Sequence, residues 1–177
     1  MKLCFISNFL NHHQLPICNA FYNLLHEEFY FIASEKIPEE RLKLGYQDTF
    51  DVPYFIDGTK EDVYSYLQEC DVYILGDDPR DYIEYGYAHN KLIFFYRERM
   101  HKDGTWHKYS PLAQYNMRTI YAKKKTANSY LLCASAYTAS DFVDYGCFKD
   151  KAFKWGYFPA LSDKSLDELL ANKEKNT

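Results

Sequence analysis

No stretch of the chain stays apolar for the roughly 18 to 20 residues a membrane-spanning helix needs, and no apolar signal region precedes a cleavage site near its start. A cytoplasmic protein is the expectation. The seven glycines never fall as G-x-G-x-x-G, so the fingerprint of a nicotinamide- or flavin-dependent oxidoreductase is missing. A P-loop, a nucleophile elbow and a metal-ligand helix are missing too. The five cysteines, Cys4, Cys18, Cys70, Cys133 and Cys147, include no C-x-x-C pair and lie in or beside apolar runs. That pattern fits buried, reduced thiols, with no disulfide framework and no metal site expected.

What is abundant is aromatic. Tyrosine and phenylalanine number 18 and 13, enough to fill a core and to leave phenols that need partners or interfaces. At 177 residues the chain is sized for one α/β domain. The net charge of −4 hides a division: residues 57–84 hold nine acidic and two basic side chains, residues 91–125 nine basic and two acidic. Such asymmetry marks either a surface that meets phosphates or anionic lipid, or a solvated helix face. With no nucleic-acid module in view, nucleic acid is not an expected partner.

The chain is organised around its first stretch. Leu3, Cys4, Phe5 and Ile6 form a short apolar run, the mark of a strand covered on both faces of a parallel sheet. A polar loop follows, with Asn11 as a helix N-cap and Pro16 tolerable in the first turn of a helix whose stripe is Leu15, Cys18, Phe21 and Leu25. Further strands are predicted over residues 29–33, 71–76, 92–96, 130–134 and 151–155, with a short one ending at Ile56 that Pro53 interrupts. Helices are predicted over residues 38–45, from a Thr59 cap to Cys70, from an Asp78 cap with a first-turn Pro79 to about Asn90, from Pro111 to about Lys124, and from a Ser135 cap to Gly146. This alternation predicts an α/β fold, a three-layer Rossmann-like sandwich with a mostly parallel sheet. The domain is assigned to residues 1–161, with 162–177 an amphipathic segment running into a polar tail.

Two segments carry chemistry. The loop 8–14 puts three amides with His12 and His13 at a strand's carboxyl end, where backbone N–H groups and side chains can meet a phosphate or sugar. The competing reading has one histidine in solvent and the other packed locally. Arg97, Glu98 and Arg99 follow another buried strand, and a guanidinium can grip a phosphate or carboxylate through two parallel hydrogen bonds. The competing reading there is a structural ion pair between Glu98 and an arginine.

Several separated blocks are S-N-F-L-N-H-H-Q-L-P, F-Y-F-I-A, I-P-E-E-R-L-K-L-G-Y, L-I-F-F-Y-R-E-R, L-L-C-A-S-A-Y-T-A-S-D-F and K-W-G-Y-F-P. Together, from Met1 to about Ala160, they resemble the N-terminal half of bacterial group 1 glycosyltransferases, family 4-like enzymes of the two-domain B-type fold. The resemblance implies sugar transfer from a nucleotide-sugar donor to a glycan or lipid-linked acceptor in surface-polysaccharide or cell-envelope synthesis. It also implies a retaining mechanism without metal or cofactor. Relatives have S-E-R where this chain has Arg97-Glu98-Arg99, so Glu98 and Arg99 carry over and Arg97 does not. Those enzymes are about twice as long, so the chain is expected to be the acceptor-side half, inactive without its C-terminal Rossmann domain. His13 and Arg99 are expected to bind substrate, Asn11 and His12 to shape the loop, and Glu98 to orient its neighbour or the acceptor. No catalytic residue is assigned. The basic helix after Pro111 is expected to face an anionic partner, a lipid-linked acceptor or the inner membrane leaflet. The alternative is a free-standing Rossmann-like binding or regulatory module.

Overall fold

The computed structural model describes residues 1–46, 51–77, 79–101, 104, 106–122 and 128–159. Strand β1, Leu3–Ser7, is buried at all of its positions. It pairs in parallel with β2, Phe29–Ala33, on one side and with β4, Val72–Leu75, on the other. Adding β3 (Phe55–Asp57), β5 (Leu92–Arg97), β6 (Ser129–Cys133) and β7 (Ala152–Lys154) gives one sheet in the order β3-β2-β1-β4-β5-β6-β7. All six pairings are parallel. The apolar runs read as doubly covered strands therefore occupy its interior, and the strand with Pro53 just upstream is an edge.

Alternation along the strands divides the core. Leu3, Phe5, Phe29, Phe31 and Ile74 face helix α1 (Leu15–Leu25), which contributes Cys18 with Phe21 and Leu25. Cys4, Ile6, Tyr73, Leu75, Ile93 and Phe95 face the opposite layer. That layer is built by α3 (Val63–Glu69), α4 (Arg80–Ala88), α5 (Pro111–Met117) and α6 (Thr138–Val143), through Leu67, Ile83, Met117 and Phe142. A short α2, Glu39–Lys43, has no buried residue and lies outside both clusters. Helix α4 comes close enough to the sheet to need glycine at Gly86, where a Cβ would stand 2.9 Å from the Tyr73 ring and 3.0 Å from Ile93.

Several helix ends differ from expectation, each for a local reason. Asp62, not Thr59, caps α3 by accepting the Tyr64 N–H at 3.1 Å, while Thr59 donates both its N–H and its hydroxyl to Asp57. Asn11 caps the turn before α1 rather than the helix itself, as its Oδ1 accepts the N–H groups of His13 and Gln14 at 2.9 and 3.1 Å. Pro79 precedes α4 instead of opening it, and its proposed cap Asp78 lies outside the described residues. Helix α5 stops at Met117, where a π-helical turn, Arg118–Ala122, takes over; Lys123 and Lys124 lie outside the described residues. Met117 and Ile120 pack on the core, but Leu112 and Tyr115 are 69% and 67% exposed, so only part of the predicted stripe is buried. Ser135 opens the turn ahead of α6, its N–H donating to Thr138 Oγ1 at 3.3 Å, and the helix ends at Val143 before Gly146 turns with φ +74°. The segment 162–177 and the last positions of the assigned domain lie outside the described residues.

Candidate functional site

The sheet reverses its order between β1 and β4, and the chain leaving β1 crosses to the α1 side while that leaving β4 enters the opposite layer. The segments diverge there, and in open α/β sheets this is where ligands bind. A cavity of about 360 Å³ opens at that point. Its lining joins Ser7, Asn8, Asn11, His13 and Gln14 after β1 to Gly76 after β4, Tyr96, Arg97 and Glu98 at the end of β5, and Tyr157 beyond β7. The two segments singled out in the sequence thus share one cleft.

Its floor is a hydrogen-bonded chain. Gln14 Nε2 donates to Ser7 Oγ at 3.0 Å, the Ser7 hydroxyl donates to Asn8 Oδ1 at 3.2 Å, and the same oxygen accepts the Phe9 N–H at 2.9 Å. Gln14 Oε1 is buried without a hydrogen-bond partner. Gly76 allows the close approach: a Cβ there would stand 2.9 Å from Ser7 Oγ and 3.1 Å from the Phe5 ring.

Each expected residue has a definite place. Asn11 lines the cleft and holds the turn that presents His13, which also lines it and is exposed. His12 is outside the lining, its ring 3.9 Å from that of His13 and edge-on to Tyr46 at 5.1 Å. Glu98 lines the cleft and is exposed. Arg99 does not line it. Its guanidinium lies over the Tyr137 ring at 4.7 Å, and its Nε sits 3.7 Å from Asp141 Oδ2.

Sequence reasoning set Arg97 aside, yet it lines the cleft and braces it. Its Nη1 donates to Leu75 O at 2.6 Å and to Tyr96 O at 2.8 Å, its Nη2 to Asp77 O at 3.0 Å, and its Nε to Tyr121 Oη at 3.2 Å. Tyr96 was also missed. Its phenol donates to Gly156 O at 3.2 Å, and burial, with the Glu98 charge second, pushes it up to about 12, so it stays a neutral donor near pH 7. Asp141, 5% exposed, accepts the N–H groups of Met100 and His101 at 3.0 and 3.3 Å. Asp141 lies in the block L-L-C-A-S-A-Y-T-A-S-D-F, but nothing in that spacing ties it to residue 99.

The cleft can bind a small polar molecule through amides, an imidazole and a carboxylate. Ser7 is 2% exposed and its hydroxyl is committed to Asn8, so it presents no nucleophile. Among the described residues no group of three His, Cys, Asp or Glu side chains is placed to hold a metal ion, and no helix is long and apolar enough to cross a membrane. Compared with known proteins, the chain matches no protein-family model, no curated protein and no solved structure.

Proposed function

We propose that this domain is the acceptor-binding half of a nucleotide-sugar-dependent, retaining glycosyltransferase, and that its cleft holds a sugar. The observation that carries the reading is the convergence of the loop 8–14 and Glu98 on one cavity at the sheet's order reversal. Asn8, Asn11, Gln14, His13 and Glu98 supply hydrogen-bond donors and acceptors that suit a polyhydroxylated ligand. The sequence blocks resembling group 1 glycosyltransferases favour a sugar over other polar ligands. On this reading the donor nucleotide is held by a second Rossmann domain outside these 177 residues, and the chain alone binds without transferring. Peripheral contact with an anionic membrane face is proposed through exposed Leu112 and Tyr115 on α5. That helix, Pro111–Met117, carries no Lys or Arg itself, so the attraction, about 1 kcal/mol for each Lys or Arg, would have to come from the basic residues that follow it in sequence.

A second reading is a free-standing module that binds a ligand without turnover, which suits a cleft whose one lining hydroxyl on β1, that of Ser7, is committed to Asn8. Titrating the isotope-labelled chain with a panel of oligosaccharides and nucleotide sugars tests the first. Amide shifts should cluster at Asn8, His13, Gly76 and Glu98 with at least one oligosaccharide, and His13→Ala should weaken that binding about tenfold, or about 1.4 kcal/mol. Silence to every sugar in the panel would remove the glycosyltransferase reading.

A further inference from the structure

Arg99 stands apart from the cleft, in an arrangement of its own. Its guanidinium is held on two sides: one face lies 4.7 Å from the Tyr137 ring, and the Nε, buried without a hydrogen bond, sits 3.7 Å from Asp141 Oδ2. The carboxylate doing the holding is itself fixed. Asp141 is 5% exposed on α6 and accepts the Met100 and His101 N–H groups, so it ties the turn after β5 to that helix. The Nη1 and Nη2 groups of Arg99 have no hydrogen-bond partner among the described residues, and the side chain remains 39% exposed. Arg97, two residues earlier, has its guanidinium occupied by main-chain oxygens and Tyr121. Fixing the Nε side and the ring face of an arginine while leaving the Nη edge open prepays the side-chain entropy of gripping an oxyanion.

A second unused polar group lies in the same knot. His101 is 4% exposed, and neither ring nitrogen has a hydrogen-bond partner. The carboxylate that holds its main-chain N–H is the same Asp141 that stands beside Arg99. An open Nη edge meets two oxygens of one group side by side, and a phosphate offers more such oxygen pairs and more charge than a carboxylate.

From this geometry we infer a phosphate-binding subsite at the open edge of Arg99, backed by Tyr137 and Asp141 and separate from the sugar cleft. Asp141 and Tyr137 are positioning residues; Arg99 makes the contact. The subsite does not depend on the glycosyltransferase reading, since the phosphate it takes can belong to a sugar phosphate, a lipid-linked pyrophosphate or any other phosphate-bearing ligand.

The test is a nuclear magnetic resonance and calorimetric titration of the 177-residue chain with inorganic phosphate, inorganic pyrophosphate and acetate, with no sugar present. Saturable phosphate or pyrophosphate binding is expected, with amide shifts at Arg99, Met100 and Tyr137. Arg99→Ala should weaken it at least tenfold and Arg99→Lys at least fivefold, because lysine cannot grip two oxygens in parallel. Tyr137→Leu, at a 60% exposed position that folding tolerates, should weaken it about threefold through loss of the stacking face. Lys2→Ala, which removes a charge beside β1's amino end, should change it less than twofold. No saturable phosphate binding, equal losses in Arg99→Ala and Lys2→Ala, or acetate binding as tightly as phosphate would each overturn the assignment. Because no sugar is present, failure here leaves the cleft reading untouched, and silence of the cleft towards sugars leaves this one untouched.

Discussion

The guanidinium of Arg97, on β5, donates to the carbonyl oxygen of Leu75, the last residue of β4, at 2.6 Å. Its other Nη reaches Asp77 O, past the strand's end, so one side chain closes the main-chain oxygens where the ladder between β4 and β5 runs out. Gly76, the residue between those two carbonyls, lines the cleft, and without Arg97 the oxygens would need water.

Arg97→Ala should therefore lower stability by about 2–4 kcal/mol, since it removes charge-assisted hydrogen bonds and leaves partly buried carbonyls unpaired. Urea denaturation measures it. Arg97→Lys should recover less than half of the loss, because one ammonium cannot serve carbonyls on both sides of a planar fork. A loss under about 0.5 kcal/mol, the range of ordinary surface substitutions, would show the brace to be dispensable.

Gly76→Ala should cost about 1–3 kcal/mol, because a methyl 2.9 Å from Ser7 Oγ and 3.1 Å from the Phe5 ring must push one of them aside. Displacing Ser7 breaks its bond from Gln14, so the same variant should weaken ligand binding in the cleft more than its stability loss predicts. Thermal unfolding and ligand titration on the same sample separate the two effects.

The five cysteines are buried, and burial raises the thiols of Cys18, Cys133 and Cys147, that of Cys147 to about 11. A thiol reagent at pH 8 should label fewer than one cysteine per folded chain and all five after unfolding in guanidinium. The same shifts fix a sign for stability. Between the ordinary thiol value, about 8.5, and about 11, the unfolded chain loses the Cys147 proton while the folded chain keeps it. The unfolded state then binds fewer protons, so stability is fully present below about 8.5 and falls as pH rises through 11. A stability that climbs between pH 9 and 11 would contradict the burial of these thiols.

The interior strands were legible because a two-face-buried strand needs a continuous apolar run, and Leu3, Phe5, Tyr73, Ile93 and Leu131 supply nothing else. Helix starts were less legible. Thr59 and Asp62 both have capping side chains, and only the tertiary position of Val63 against the sheet decides that Asp62 is the one used. The meeting of the loop 8–14 with residues 96–98 could be anticipated from topology, because strand ends that share a sheet bring their loops together. The different fates of Arg97 and Arg99 could not. Both are arginines at the end of one strand, but the partners that separate them are main-chain oxygens of residues 75 and 77 and the side chains of Tyr137 and Asp141, far along the chain.

The central position of β1 has a consequence for synthesis. It is the first of the seven strands to be made, and its second neighbour is not made until Val72 pairs with Leu3. At roughly 5–20 residues per second, the ribosome leaves Leu3, Cys4, Phe5 and Ile6 with one open ladder for roughly 4–14 s. Longer-range parallel pairing also closes slowly once the chain is free. Of the interior strands, β1, buried at every position, is thus the one that waits longest for its second neighbour, and binding by a chaperone that grips short hydrophobic segments should concentrate on nascent chains halted before residue 75.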